Sequence, residues 1–258
     1  MKRLSMSIAL LTASSLLLSA CGGGGGDGGG DGGGNNPPPT TTAEGLWVGT
    51  TSNGRTVAGV VLDNSQFWVI YTSVGNGAVI AGAVQGDGSY QGNSFTSSNG
   101  KDFNFEGAGV NGVDVNATFA QEQSLSGSIT YDGSPTEFTF TSTYNPDYDL
   151  QPSLSTVAGT YAGSGYAGGG VEFTTVTIAA AGSITGVSSS GCAFTGSVTP
   201  HSKGNVYDVS ITFGGGVCAN GSNTVAGVGY YDAAMNRITS AGLNGTRTSG
   251  FIFVGDKP

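Results

Sequence analysis

The stretch VDVNATF, residues 113–119, alternates apolar and polar side chains without exception. Successive side chains of a β-strand point to opposite faces, so one face of this strand packs in a core and the other meets water. Phe103 with Phe105, and Phe138 with Phe140, repeat the same spacing. The alternation predicts an all-β fold.

Short runs of this kind fill the chain from Gly45 onward, and no run carries helical spacing for more than about two turns. The pattern predicts eight or nine strands between residues 46 and 144 and about eight between residues 159 and 254. Asn-Gly and Asp-Gly pairs separate many of the runs, and such pairs accept the positive φ angles of tight turns. The predicted turn pairs are Asn53-Gly54, Asn76-Gly77, Asp87-Gly88, Asn99-Gly100, Asp132-Gly133 and Asn244-Gly245.

Two similar motifs open the two halves of this region. Gly45-Leu46-Trp47-Val48-Gly49 begins the first half, and Gly159-Thr160-Tyr161-Ala162-Gly163 begins the second, 114 residues later. The spacing indicates a duplicated unit. Between the halves, residues 145–152 contain two prolines and no alternation, which is typical of a domain boundary. We therefore predict one domain over residues 43–150 and a second over residues 151–258.

An eight-stranded meander leaves two exposed edges unless it closes on itself. We therefore predict two tandem eight-stranded antiparallel β-barrels, with β-sandwiches as the alternative. The Gly-x-Trp opening resembles the first strand of lipocalins and avidins, where the aromatic ring plugs one end of the barrel. This resemblance implies that Trp47, and Tyr161 in the second unit, are barrel plugs. The resemblance covers only these three-residue motifs, and the units are shorter than a lipocalin. The first unit also has no arginine near its last strand that could stack on Trp47.

The N-terminus has the layout of a secretory signal, with Lys2 and Arg3 before an apolar run over residues 8–18. The run of about eleven residues is too short to span a membrane, which needs about 20. Leu18-Ser19-Ala20-Cys21 resembles the lipobox of bacterial lipoproteins, which implies cleavage after residue 20 and acylation of Cys21. The alternative is an ordinary signal peptide with a chance cysteine. In the same family an aspartate after the cysteine often marks inner-membrane retention, so Gly22 favours the outer membrane.

Residues 22–42 contain no apolar side chain beyond three prolines, so they cannot bury enough surface to fold. The sequence therefore predicts residues 1–20 as a signal peptide and residues 21–42 as a lipidated cysteine followed by a disordered tether. A lipid anchor, a glycine-rich tether and β-barrel lobes together resemble the surface lipoproteins of Gram-negative bacteria, of the transferrin-binding and factor H-binding kinds. That resemblance is architectural and identifies no binding residue.

The charge of the chain excludes one class of partner. The chain carries 8 basic and 17 acidic residues, and two of the basic residues lie in the predicted signal peptide. The mature chain then has 6 basic and 17 acidic residues, a net charge of −11. Nucleic acid and anionic lipid headgroups would be repelled, so we expect a neutral or basic partner and no nucleic acid.

Cys192 and Cys218 remain once Cys21 is lipidated, and a pair in an oxidising compartment predicts a disulfide. A hairpin centred on Asn205 would set them opposite one another, provided that a one-residue bulge forms at residues 214–216. A redox-active pair is the functional alternative, but no Cys-x-x-Cys spacing supports it.

Catalytic and metal-binding patterns are weak. His201 is the single histidine of the sequence, and we expect it to be exposed in a turn. One imidazole without further ligands or a nucleophile beside it supports neither a zinc site nor a serine nucleophile. Residues 163–168 match Gly-x-Gly-x-x-Gly, but a strand pattern follows where dinucleotide binding requires a helix. Asp102 and Glu106 fall on one strand face that we expect to be solvated. We predict no catalytic residue, no metal and no cofactor.

In the run Phe67-Trp68-Val69-Ile70-Tyr71, the residues at both odd and even positions are apolar. Since alternate side chains of a strand face opposite ways, one set must point away from its own barrel. Such a strand packs on the other domain or presents an apolar interaction patch to a partner. The domain contact is the favoured alternative.

These inferences together predict a non-catalytic outer-membrane lipoprotein, surface-exposed or facing the periplasm. Its two barrels would bind a protein, or a small apolar ligand inside a barrel. A structural or assembly lipoprotein facing the periplasm is the alternative, and a hydrolase is disfavoured by the single histidine.

Overall fold

The computed structural model describes residues 41–135, 137–168 and 170–258. The predicted signal peptide, Cys21 and all but the last two residues of the predicted tether lie outside the described residues. The described residues belong to one compact unit that contains two β-barrels.

The first barrel is an antiparallel sheet in which neighbouring strands follow the chain order. The pairing of the fourth strand with the sixth closes a ring of eight strands, and the short fifth strand pairs only with the sixth. Its strands are β1 (Gly45–Thr51), β2 (Thr56–Val61), β3 (Gln66–Ser73), β4 (Asn76–Asp87), β5 (Ser89–Gln91), β6 (Ser94–Asn104), β7 (Gly109–Ala120), β8 (Ser124–Tyr131) and β9 (Glu137–Asn145).

The second barrel closes where its first strand pairs with its last. Its strands are β10 (Gly159–Ala167), β11 (Gly170–Ile178), β12 (Ser183–Ser188), β13 (Ala193–Pro200), β14 (Tyr207–Phe213), β15 (Thr224–Asp232), β16 (Arg237–Leu243) and β17 (Gly250–Asp256). The predicted fold class of two eight-stranded meander barrels is confirmed, and the β-sandwich alternative is wrong.

A short connection joins the barrels. It holds a 3-10 turn over Pro146–Asp149 and one helical turn, α1, over Leu154–Val157. Each begins at a capping side chain, Asn145 for the first and Ser153 for the second, which accepts a hydrogen bond from the backbone two or three residues on. Within the described residues, no helix has the length and apolarity needed to cross a membrane.

The alternation of residues 113–119 is confirmed in β7. The apolar side chains of residues 113–119 are buried inside the first barrel, and the polar side chains of the same stretch are exposed. Each barrel encloses its own apolar cluster in this way.

The predicted turn at Asn99-Gly100 is wrong, because these residues lie inside β6. The pairing of β6 with β7 slips by one residue between Ser97 and Gly100, which is a β-bulge. A one-residue slip exchanges the two faces of a strand. Asp102 therefore points into the first barrel, and Phe105, on the opposite face, packs between the barrels.

Two other predicted turn pairs are misplaced. The turn before β4 is centred on Val74-Gly75, so Asn76-Gly77 already belongs to the strand. Asp87-Gly88 connects β4 to β5, but these two strands do not pair with each other, so no hairpin forms there.

The two opening motifs have the same local structure. Gly45 and Gly159 have φ angles of 151° and 147°, a conformation that residues with a Cβ rarely adopt. Two residues later, Trp47 Nε1 donates to the backbone oxygen of Ala43, and the Tyr161 hydroxyl donates to that of Val157, both at 2.8 Å. Each buried ring is therefore fixed to the carbonyl four residues before it. Both rings are buried in the core of their own barrels.

A third apolar cluster lies between the barrels. Outward-facing side chains of β1 to β4 pack there against those of β15 to β17. Its buried members are Leu46, Val60, Leu62, Trp68, Ala83, Tyr148, Val206, Val228, Ala241 and Ile252.

Candidate functional site

A cleft of about 520 Å³ lies at the junction of the barrels. Trp68, Gln85 and Asp87 line it from the first barrel. The second barrel contributes the outer faces of β13 to β15 and the loop between β16 and β17, with Asp208 and Arg247 among the lining residues. The cleft therefore exists only because both barrels are present.

His201 lies at one end of this cleft and bridges the barrels. Its Nδ1 lies 2.8 Å from Asp208 of the second barrel, and its Nε2 lies 3.3 Å from Asp63 of the first. Ser202 adds a hydrogen bond from its hydroxyl to Asp63. The expectation of an exposed loop histidine is wrong, because the side chain is only 11% exposed. Lys203 on the same loop pairs with Glu44, which adds a second ionic link between the barrels.

The bridge predicts a pH dependence of stability. Burial alone would lower the pKa of His201, but its hydrogen bonds to Asp208 and Asp63 outweigh burial and raise the pKa above the ordinary 6.5. A raised folded-state pKa gives stability that is fully present below pH 6.5 and is lost as the pH rises through the folded pKa. We expect the wild type to lose up to about 1 kcal/mol of unfolding free energy across that rise.

The measurement is urea unfolding at several pH values between 5.5 and 8.5. His201→Gln keeps a polar side chain and cannot gain the proton, so its stability should stay flat over that range. An equal slope in the wild type and in His201→Gln would contradict the prediction.

Asp102 and Glu106 were expected on a solvated strand face, and the structure separates them. Asp102 is 1% exposed inside the first barrel, where it accepts hydrogen bonds from the hydroxyls of Tyr71 at 2.7 Å and Tyr131 at 2.8 Å. Burial raises the pKa of Asp102, and the two tyrosine bonds only partly oppose that effect. Glu106 is exposed and pairs with Arg55 at 2.7 Å, which lowers the pKa of Glu106. The two carboxylates therefore do not face one another across a cleft.

The run Phe67-Trp68-Val69-Ile70-Tyr71 forms most of β3 and is buried or half-buried throughout. Phe67, Val69 and Tyr71 pack inside the first barrel, while Trp68 and Ile70 pack in the cluster between the barrels. The run is thus no open patch for a partner, and its outward side chains make the domain contact.

The disulfide between Cys192 and Cys218 is present, with Cα atoms 4.7 Å apart. The hairpin is not centred on Asn205, since β13 and β14 pair Pro200 with Tyr207. The one-residue bulge is replaced by a loop after Phe213. Positive φ angles at Gly215 and Gly216 turn this loop back to bring Cys218 to Cys192.

Next to this disulfide lies an exposed apolar surface that the sequence reading missed. Val171 and Phe173 point outward from β11 and are 59% and 62% exposed. Val187 on β12 is 48% exposed and pairs with Thr175, so it lies diagonally beside Phe173. We call these three residues the barrel-2 patch. The sequence contained the information needed to find this patch, because the alternation along β11 and β12 places all three residues on the outward face of their strands.

The interiors of the barrels are filled by side chains. The cavity inside the first barrel measures about 70 Å³, and the pocket at the mouth of the second about 40 Å³. Small-molecule sites usually measure about 300 to 1,000 Å³.

Residues 163–167 of the Gly-x-Gly-x-x-Gly match lie in β10, so no helix begins there. No group of three or more histidine, cysteine, aspartate or glutamate side chains in the described part of the chain is arranged to hold a metal ion.

The fold and these surfaces define a two-barrel protein without an enclosed ligand cavity among the described residues. No protein-family model and no curated protein matches the chain. Solved structures with similar folds include isotype 1 transferrin binding protein B from serogroup B Neisseria meningitidis, at 11% identity and a TM-score of 0.29, over 80% of this chain and 66% of that chain. Two mutants of transferrin binding protein B from Haemophilus parasuis Hp5 match at 10% identity over 79% of this chain. Their TM-scores are 0.32 and 0.29, with 66% and 51% of those chains covered.

This chain thus spans between about half and two thirds of the length of those structures. At this level of similarity the superpositions define no shared site or ligand.

Proposed function

We propose that this chain is a non-catalytic lipoprotein of the bacterial outer membrane that binds a protein partner through the barrel-2 patch. The observation that carries the proposal is the exposure of Val171, Phe173 and Val187 side by side on one sheet surface. Contiguous exposed apolar side chains mark interaction sites in soluble proteins, and aromatic residues such as Phe173 are frequent anchors of protein interfaces.

The position of the patch fits a protein held by its N-terminus. Glu44, two residues after the end of the predicted tether, pairs with Lys203 in the hairpin between β13 and β14. That hairpin lies at the same end of the second barrel as Ile178, the last residue of β11. Val171 is at the beginning of β11, so the patch lies toward the opposite end. The patch is therefore at the end of the second barrel opposite the hairpin that pairs with Glu44.

Two observations support a protein partner over a small apolar ligand inside a barrel. The cavity inside the first barrel measures only about 70 Å³ and the pocket at the mouth of the second about 40 Å³, and the patch is on the outside. The net charge of −11 for the mature chain favours a partner with a neutral or basic surface.

Site-specific photo-crosslinking on intact cells tests the patch. A photoreactive phenylalanine analogue replaces Phe173 in the full chain, and in a matched variant it replaces Val74, which is similarly exposed in the turn before β4 of the first barrel. We expect a crosslinked protein from position 173 and none from position 74. Equal products from both positions, or none from 173, would overturn the proposed site.

Two further measurements test the lipid anchor and the side of the outer membrane that the barrels face. Cys21→Ser should abolish incorporation of labelled palmitate, and continued labelling would refute lipidation at Cys21. Protease treatment of whole cells should remove the folded barrels if they face outward. Protection from protease would instead place the protein on the periplasmic side, as an assembly or structural lipoprotein.

A further inference from the structure

The loop between β16 and β17 presents Arg247 to the first barrel. Asn244 shapes this loop, because its side-chain oxygen accepts from the backbone N–H groups of Thr248 and Ser249 at 2.9 and 3.2 Å. Arg247 has a φ of 54°, an uncommon conformation for a residue with a side chain. Its Nη2 donates to the backbone oxygen of Gln85 at 2.6 Å. The guanidinium group is thus held against β4 at the wall of the cleft.

Arg247 and Gln85 leave two buried polar atoms without partners. Arg247 Nε has no hydrogen-bond acceptor, and Gln85 Oε1 has no donor although Gln85 is only 4% exposed. Arg247 also forms no ion pair with a carboxylate of the described residues. A buried polar group without a hydrogen-bond partner destabilises the protein. A ligand that supplies an acceptor for Arg247 and a donor for Gln85 would therefore gain binding free energy by pairing these two groups.

The rest of the cleft sets further limits on such a ligand. Asp87 and Asp208 line it. Asp208 is paired with His201, whereas Asp87 forms no ion pair with a basic side chain of the described residues and therefore suits a cationic group. Leu62, Trp68 and Val228, which are buried members of the cluster between the barrels, form its apolar lining. The volume of about 520 Å³ is within the range of small-molecule sites.

We propose that the cleft binds a small zwitterion with the chemistry of a free α-amino acid. The carboxylate of the ligand would accept from Arg247, and its ammonium group would donate to Gln85 Oε1 and lie near the carboxylates of the cleft. Its apolar side chain would lie along Trp68 and Val228. This site is separate from the barrel-2 patch and does not depend on it.

A purely structural role for Arg247, as a clamp between the barrels, predicts different behaviour. It accounts for the bond from Nη2 to the Gln85 backbone but gives no role to Gln85 Oε1. Gln85→Met keeps that backbone acceptor and removes the unpartnered oxygen. A clamp alone predicts no effect of Gln85→Met on any ligand.

Thermal unfolding of the purified full chain, with each standard amino acid added singly, tests the proposal. We expect at least one amino acid with an apolar side chain to raise the Tm of the wild type, because a ligand that binds only the folded state stabilises it. The amide of that amino acid, which lacks the carboxylate, should bind roughly tenfold to a hundredfold more weakly by calorimetry. No Tm increase with any amino acid, or equal affinity for the amide, would overturn the proposal.

Variants separate binding from folding. Gln85→Met should have a Tm equal to or above that of the wild type without ligand, and should lose the ligand-induced increase. Gln91→Met, on the exposed short strand β5 outside the cleft, is the matched control and should keep it. A Gln85→Met protein that folds and still responds fully would refute the assignment. Phe173→Ser should leave amino-acid binding unchanged, so that failure of the patch and failure of the cleft are distinguishable.

Discussion

Replacing both Cys192 and Cys218 with alanine should lower the free energy of unfolding by about 3 kcal/mol. The two cysteines are 26 residues apart, and the bond between them removes conformational freedom from the unfolded chain. Both sulfurs are buried, so alanine is preferred over serine, which would place a hydroxyl in an apolar site. The measurement is equilibrium unfolding in urea under non-reducing conditions.

The control for this prediction is the reduced wild type. A reductant should shift the urea midpoint of the wild type to that of the double-alanine variant and leave the variant unchanged. If the double-alanine variant unfolds at the wild-type urea concentration, packing alone holds the loop after β14 in place. The disulfide also fixes the end of the second barrel that carries the barrel-2 patch, so reduction should weaken crosslinking at position 173.

The fold could be predicted because its signals are local. Alternation of side chains along one strand is a property of that strand alone, as β7 shows. The repeated motifs around Trp47 and Tyr161 were visible for the same reason, since each ring bonds the carbonyl only four residues away. Closure into barrels then follows, because a meander of this length has edges that must be covered.

The bulge at Asn99-Gly100 shows where local reasoning ends. Asn-Gly is compatible with a turn and with a bulge, and only the pairing with β7 selects between them. The choice decides which face of β6 points inward. Asp102 was therefore expected in water, although it is among the most buried polar residues of the described chain.

The junction between the barrels could not be predicted from the sequence. The partner of His201 in the first barrel, Asp63, is 138 residues away, and the partner of Arg247, Gln85, is 162 residues away. No spacing pattern encodes such contacts, because they depend on how two closed barrels are oriented. The candidate cleft was missed for this reason, while the apolar character of Trp68 correctly indicated a contact between domains.

Asp102→Ala should reduce the free energy of unfolding by roughly 3 to 5 kcal/mol, among the largest losses expected for one substitution. The hydroxyls of Tyr71 and Tyr131 both donate to this carboxylate inside the first barrel. Alanine leaves both hydroxyls without their acceptor and adds a cavity. Asp114→Ala, on the exposed face of the neighbouring strand β7, is the matched control and should change stability by less than about 0.5 kcal/mol.

A combined substitution distinguishes the loss of hydrogen bonds from the loss of packing. Asp102→Leu together with Tyr71→Phe and Tyr131→Phe removes both hydroxyl donors as well as their acceptor, and the half-buried Asn104 amide loses only its 3.2 Å bond to the Tyr71 hydroxyl. We expect this triple variant to be more stable than Asp102→Ala, because replacing both partners by apolar groups avoids the desolvation penalty. If Asp102→Ala and Asp114→Ala unfold at the same urea concentration, Asp102 is not the acceptor that holds the two tyrosines. If the triple variant is instead the less stable protein, the buried carboxylate contributes net stability of its own to the barrel.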